Sequence, residues 1–206
     1  MRNLMWPVYK GAVTVTLAVS VFVGGSWAQA ASAPNDTNPP VPLLLQKMEG
    51  NWTVTEKMWP GSSQEAVDLP AATAHRRLIQ KSFLEEVMDP SQANAPDSFN
   101  RTSYFNFNSS SHKFEYFSLD SRLPQMMNER SAEVDPSLAS ADGVKLEGSR
   151  FVAPMWGKGR NVPFQYRLLV GDVKGDRQTV QLFLTPESGK DRKEFLAFEY
   201  LYVRAP

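Results

Sequence analysis

The feature that most constrains this chain is its series of short runs with period-two alternation, separated by turn residues. Val, Ile, Thr, Tyr and Phe dominate the runs, and Pro, Gly, Asn, Asp and Ser divide them. Strands are predicted over 52–58, 72–80, 82–89, 101–107, 113–119, 126–134, 144–153, 163–170, 179–185 and 194–204. The linkers are short, which favours neighbours pairing as antiparallel hairpins. No long helical segment separates two strands, so a parallel α/β fold is excluded. One short amphipathic helix is expected over 41–49, where Leu44 and Met48 lie four apart and Gly50 stops it.

The last run alternates most plainly. Glu194, Leu196, Phe198, Tyr200, Tyr202 and Arg204 share one face; Phe195, Ala197, Glu199, Leu201 and Val203 share the other. Both faces are largely apolar, which fits a sandwich or a closed barrel. A barrel leaves no exposed edge. The loops at 60–70, 90–98, 135–143 and 154–161 are candidates for a rim around its mouth.

Residues 1–30 read as an export signal. Arg2 and Lys10 supply the positive start, 12–25 is an apolar run of about 14 residues, and Ala28-Gln29-Ala30 offers a peptidase site. The run falls short of the ~20 residues of a spanning helix. Cleavage is expected after Ala30, with a flexible lead-in over 31–42, a barrel domain over 43–206, and a periplasmic or secreted destination. No later segment is apolar enough to span a membrane. Cleavage removes two basic residues from a chain of 22 basic and 22 acidic ones, leaving a slightly acidic surface. Such a surface gives no electrostatic case for nucleic acid or anionic lipid. The chain has no cysteine, which excludes disulfides, a thiol nucleophile and a Cys-ligated metal.

Gly50-Asn51-Trp52 opens the first strand and Tyr202-Val203-Arg204 closes the last. This combination resembles the calycins, the superfamily of lipocalins and fatty-acid-binding proteins. The resemblance implies an up-and-down β-barrel of about ten strands, with Trp52 plugging the closed end and Arg204 lying across its ring. A guanidinium on an indole face contributes ~1–2 kcal/mol when partly desolvated. Further stretches extend the likeness: Met48-Glu49-Gly50-Asn51-Trp52, Arg76-Arg77-Leu78-Ile79, Phe83-Leu84, Tyr104 to Asn108, Lys113 to Phe117, Leu119-Asp120-Ser121 and Phe198 to Arg204. In these the chain is similar to a bacterial family known as domain-of-unknown-function family 1579. It departs from that family's pattern at Ser82, where a glycine is usual, and at Phe105-Asn106-Phe107, where a Gly-Tyr-Asp is usual. The family implies a barrel and supplies no reaction.

The chemistry-bearing residues are sparse. Haem binding, as in the nitrobindins that share this kind of barrel, needs an axial ligand. His75 and His112 are the two histidines. His112 falls at a hairpin shoulder, and His75 faces outward if its neighbour Arg76 faces inward. There is no His-Glu-x-x-His and no Gly-x-Ser-x-Gly. Adjacent Met126 and Met127 point to opposite faces, as do Glu85 and Glu86, so neither pair can act together on one ligand. Glu56 shares a face with Trp52, Val54 and Met58; if that face is internal, it needs a partner such as Arg76 or a raised pKa.

The expected lining of a lumen is Val54, Glu56, Met58, Arg76, Tyr116, Tyr166, Phe198, Tyr200 and Tyr202, with Gly50, Trp52 and Arg204 closing the barrel. Such a lumen suits a small apolar or aromatic molecule, with no cofactor or metal required. Two other readings stand beside it. One is a haem-binding or other enzyme on the same barrel. The other is an envelope interaction protein whose lumen is filled by side chains.

Overall fold

The computed structural model describes residues 41–93, 98–134, 143–156, 159–189 and 192–206. The signal expected over 1–30, the expected lead-in up to residue 40 and most of the loop expected over 135–143 lie outside these residues.

A single helix, α1 (Leu43–Met48), precedes eleven strands. These are β1 (Gly50–Met58), β2 (Val67–Ile79), β3 (Phe83–Pro90), β4 (Arg101–Asn108), β5 (Lys113–Asp120) and β6 (Leu123–Ser131). They continue with β7 (Val144–Gly148), β8 (Phe151–Trp156), β9 (Gly159–Val170), β10 (Arg177–Pro186) and β11 (Phe195–Arg204). All pairings are antiparallel. The order runs β1 to β7, then β9, β10 and β11, and β11 pairs back onto β1. The sheet therefore closes into a ten-position barrel, one of the two architectures the alternation allowed and the one the calycin resemblance implied.

The difference in count has a simple cause. β7 pairs with the second half of β9, through Val144 to Glu147 against Arg167 to Val170, and β8 pairs with its first half. The run predicted as one strand over 144–153 is broken at Ser149-Arg150, and its two pieces lie end to end along β9. β8 and β9 pair from Phe151–Phe164 to Trp156–Gly159, so strand replaces most of the long loop expected over 154–161. β2 likewise begins at Val67, inside the loop expected over 60–70.

Inward residues follow the alternation: Trp52, Val54 and Glu56 on β1, Leu84, Glu86 and Met88 on β3, Arg101, Ser103 and Phe105 on β4. On β11 the alternation is not strict. A bulge sets Leu182 opposite Phe198 and Phe183 opposite Leu196. Ala197 is thereby fully buried, and Phe195 packs edge-on against Phe164.

One end of the barrel is plugged. α1 turns Leu44, Leu45 and Met48 inward. The Trp52 indole Nε1 donates to the Met48 carbonyl at 2.9 Å. Arg204, opposite Trp52 in the β1–β11 register, lies 4.2 Å over the Trp52 ring. Its two terminal nitrogens donate to the carbonyls of Glu49 and Lys47, each at 2.7 Å. A cation thus satisfies carbonyls that the end of α1 leaves open. Gly50 makes the approach possible: its φ is +125°, and a Cβ there would sit 2.6 Å from an Arg204 nitrogen.

Candidate functional site

Above the plug the lumen divides into a paired region and a cavity. In the paired region Arg76 Nε donates to Glu86 Oε2 at 2.7 Å, and Arg101 Nη2 donates to Glu86 Oε1 at 2.9 Å. Arg101 Nη2 also donates to the Tyr202 hydroxyl at 2.7 Å. Ser103 donates to Glu86 as well, and Arg76 reaches Gln178. The Arg76 guanidinium stands 3.9 Å over the Tyr202 ring. Burial pushes the Glu86 pKa up, but the two guanidiniums outweigh it and hold the carboxyl down at about 2. Only a void of about 20 Å³ remains among these groups.

The cavity has a volume of about 300 Å³. Met127, Phe151, Ala153, Leu168 and Leu182 form its apolar walls, and Arg101, Tyr116, Ser118, Glu129 and Tyr200 supply its polar groups. Met58, Arg122, Leu123 and Phe198 are part-exposed lining residues and mark the mouth.

Arg122 organises that mouth. It forms a forked pair with Asp120, through Nε at 3.0 Å and Nη2 at 2.7 Å. Its Nη1 donates to both oxygens of Glu56, at 2.9 and 3.1 Å. Its guanidinium lies 3.5 Å over the Phe99 ring. Burial raises the pKa of Glu56, which is 2% exposed, and Arg122 opposes that rise without cancelling it. The expected partner of Glu56, Arg76, is committed to Glu86 instead.

Glu129 is the anomaly of the site. It is 0% exposed, and neither carboxyl oxygen has a hydrogen-bond partner of acceptable geometry. Burial lifts its pKa to about 8, against smaller opposing effects of Tyr166 and Arg101. The Tyr166 phenol is close enough to influence that proton but makes no well-formed bond. Its position has a local cause. Glu129 faces Gly148 across the β6–β7 pair, and a Cβ on Gly148 would fall 2.1 Å from the Tyr166 ring. The glycine leaves room for the phenol beside the carboxyl. Arg101 Nε is likewise buried without a partner.

Of the expected lining residues, Met58, Tyr116, Phe198 and Tyr200 border the cavity. Arg76, Tyr202 and one side of Tyr116 border the small void. Val54 and Glu56 are buried inside the barrel, and Tyr166 is buried edge-on against Phe151. His75 is exposed, with Nδ1 2.6 Å from Asn51 Oδ1, and His112 is exposed in the β4–β5 turn. Neither imidazole reaches the lumen. Met126 is 70% exposed while Met127 lines the cavity.

Sequence reading missed Glu86, Arg101, Asp120, Arg122 and Glu129. Alternation alone could have found four of them: Glu86 is in phase with Leu84 and Met88, Arg101 with Phe105, and Glu129 with Met127, and the fourth is Asp120. Asp120 is in phase with Phe114 and Ser118 on β5, whereas Arg122 could not be found so, because it stands in the turn where the β5–β6 register shifts.

No protein-family model matches the sequence, and no curated protein matches it. Eight chains of solved structures match by fold. One is the crystal structure of Rv2717c from M. tuberculosis, with a TM-score of 0.52 and 15% identity over 81% of this chain and 99% of that one. At that identity the likeness establishes the barrel fold. No helix among the described residues is long and apolar enough to cross a membrane.

Proposed function

We propose that this chain is an exported β-barrel of the domain-of-unknown-function family 1579 that binds a small, largely apolar molecule in its lumen. The observation that carries the reading is the cavity of about 300 Å³ with apolar walls and a few polar groups. That combination is the usual makeup of a small-molecule site, and its volume sits at the small end of the range. Barrels of this strand number have room for one such ligand. A barrel acting only through its outer surface has no need of this space. The export signal supports the location, and the Trp52–Arg204 closure supports the family.

The test is native mass spectrometry of protein recovered from the envelope fraction. The expected species begins at Ala31 and carries a small apolar passenger. Ala153→Leu, which fills part of the cavity, is expected to lose the passenger while keeping its far-ultraviolet dichroism. Recovery without a passenger, together with equal uptake of apolar dyes by both proteins, would overturn the reading.

A further inference from the structure

We infer that the cavity receives a neutral apolar molecule ending in a carbonyl, of the ketone, aldehyde or quinone kind, whose oxygen is held by the Glu129 carboxyl and the Arg101 Nε–H. The inference rests on the lumen-binding reading and specifies its ligand.

Two observations carry it. Glu129 and Arg101 both line the cavity, and both hold buried polar atoms without partners among the described residues. Buried polar groups in folded proteins are nearly always satisfied, so an unsatisfied pair on one cavity points to something that binds there. The second observation is charge. The guanidiniums of Arg76, Arg101 and Arg122 are ion-paired with the carboxylates of Glu86, Glu56 and Asp120. An anionic ligand would add an uncompensated buried charge, which is costly in a low-dielectric lumen. A cationic one would lie beside Arg101.

A neutral acceptor suits the donors available. With its pKa lifted to about 8, Glu129 carries its proton at neutral pH and can donate it. The polar groups around that carboxyl are Arg101 from β4, Tyr116 from β5 and Tyr166 from β9, while β7 presents only Gly148. None of them is a carboxylate that could take the proton. Above the Glu129 pKa the ionised carboxylate repels a carbonyl oxygen, so affinity falls.

Equilibrium dialysis of the full-length mature protein against three probes of one shape tests this: 2-acetylnaphthalene, 2-ethylnaphthalene and 2-naphthoate. At about pH 6 the ketone is expected to bind about tenfold more tightly than the hydrocarbon, the yield of one buried hydrogen bond. At about pH 9.5 that preference is expected to vanish, because Glu129 is then ionised. Glu129→Gln keeps an N–H donor and should keep the preference at both pH values. Glu129→Leu should weaken the preference to what Arg101 alone supplies and make it independent of pH, while still binding the hydrocarbon.

Equal affinity of ketone and hydrocarbon for the unmodified protein overturns the inference and leaves lumen binding intact; a resident water then satisfies the two groups. Naphthoate binding most tightly overturns it too. So does a pH-dependent preference that survives in Glu129→Gln. Failure of all three probes removes the lumen-binding reading itself.

Discussion

Two glutamates in one barrel show how surroundings decide what a buried carboxyl does. Glu86 and Glu129 both sit on inward positions of antiparallel strands, and both are almost wholly out of solvent. Glu86 lies between Arg76 and Arg101 and is held ionised, with a pKa of about 2. Glu129 has no such pair, and burial raises it to about 8. The first is locked into the scaffold near the plugged end. The second is left with free hydrogen-bonding capacity where the lumen is open. Ion pairing and open space are thus separated along one lumen.

The comparison can be broken most severely at Glu86. Glu86→Leu leaves Arg76 and Arg101 without their carboxylate, and uncompensated buried charges cost roughly 3–5 kcal/mol. Urea denaturation at neutral pH should show that loss. The same residue sets an acid limb. Its folded pKa lies below its unfolded value of 4.5, so its contribution is present above about pH 4.5 and disappears as pH falls toward 2. The Leu variant should lack that contribution to the acid slope.

Glu129 gives the opposite sign. Its folded pKa lies above 4.5, so as pH rises from about 4.5 to about 8 the unfolded chain releases a proton that the folded chain keeps. Stability therefore falls across that window and levels off above it. Glu129→Gln removes this slope and should gain roughly 4–5 kcal/mol relative to the parent between those limits. A series of denaturation curves from pH 4.5 to 8.5 reads it directly. A parent protein with no decline in that window would show that Glu129 is solvated or paired.

The smallest effect is expected at the plug. Arg204→Met keeps the stem over Trp52 but removes the cation–π contact and the bonds to the Glu49 and Lys47 carbonyls. A loss of about 1–2 kcal/mol is expected, seen as a lower urea midpoint.

The antiparallel strands could be read from the sequence because alternation and short linkers are local signals, written into each strand; those signals left sandwich and barrel open, and the resemblance implied the barrel. Closure was legible only through the resemblance that Gly50, Trp52 and Arg204 carry; the structure adds why a glycine stands there, since it tolerates both the backbone turn and the arginine pressed against it. The site was read in part. Aromatic positions such as Tyr116, Phe198 and Tyr200 follow the strand period and reached the lumen as expected. The charged lining was largely missed because charge by itself suggests solvent. Glu86 and Arg101 are inside only because each supplies the other's partner, a relation between two strands that neither strand encodes alone. Arg122 is further from reach, since a turn residue has no face to assign. The break at Ser149-Arg150 was hidden because both pieces of the run keep strand composition.

The pairing of β1 with β11 also sets an order of events in folding. Glu49 and Arg204 are separated by 155 positions in the chain, so the seam joining them is among the most non-local contacts the molecule makes. Contacts of that kind form late and slowly, because loop closure must precede any gain from them. Until residues 195–204 dock, β1 presents a bare edge with Trp52 uncovered, the sort of surface on which chains associate wrongly. A nascent chain would therefore carry its greatest aggregation hazard at its first strand, for as long as the last one is still to arrive.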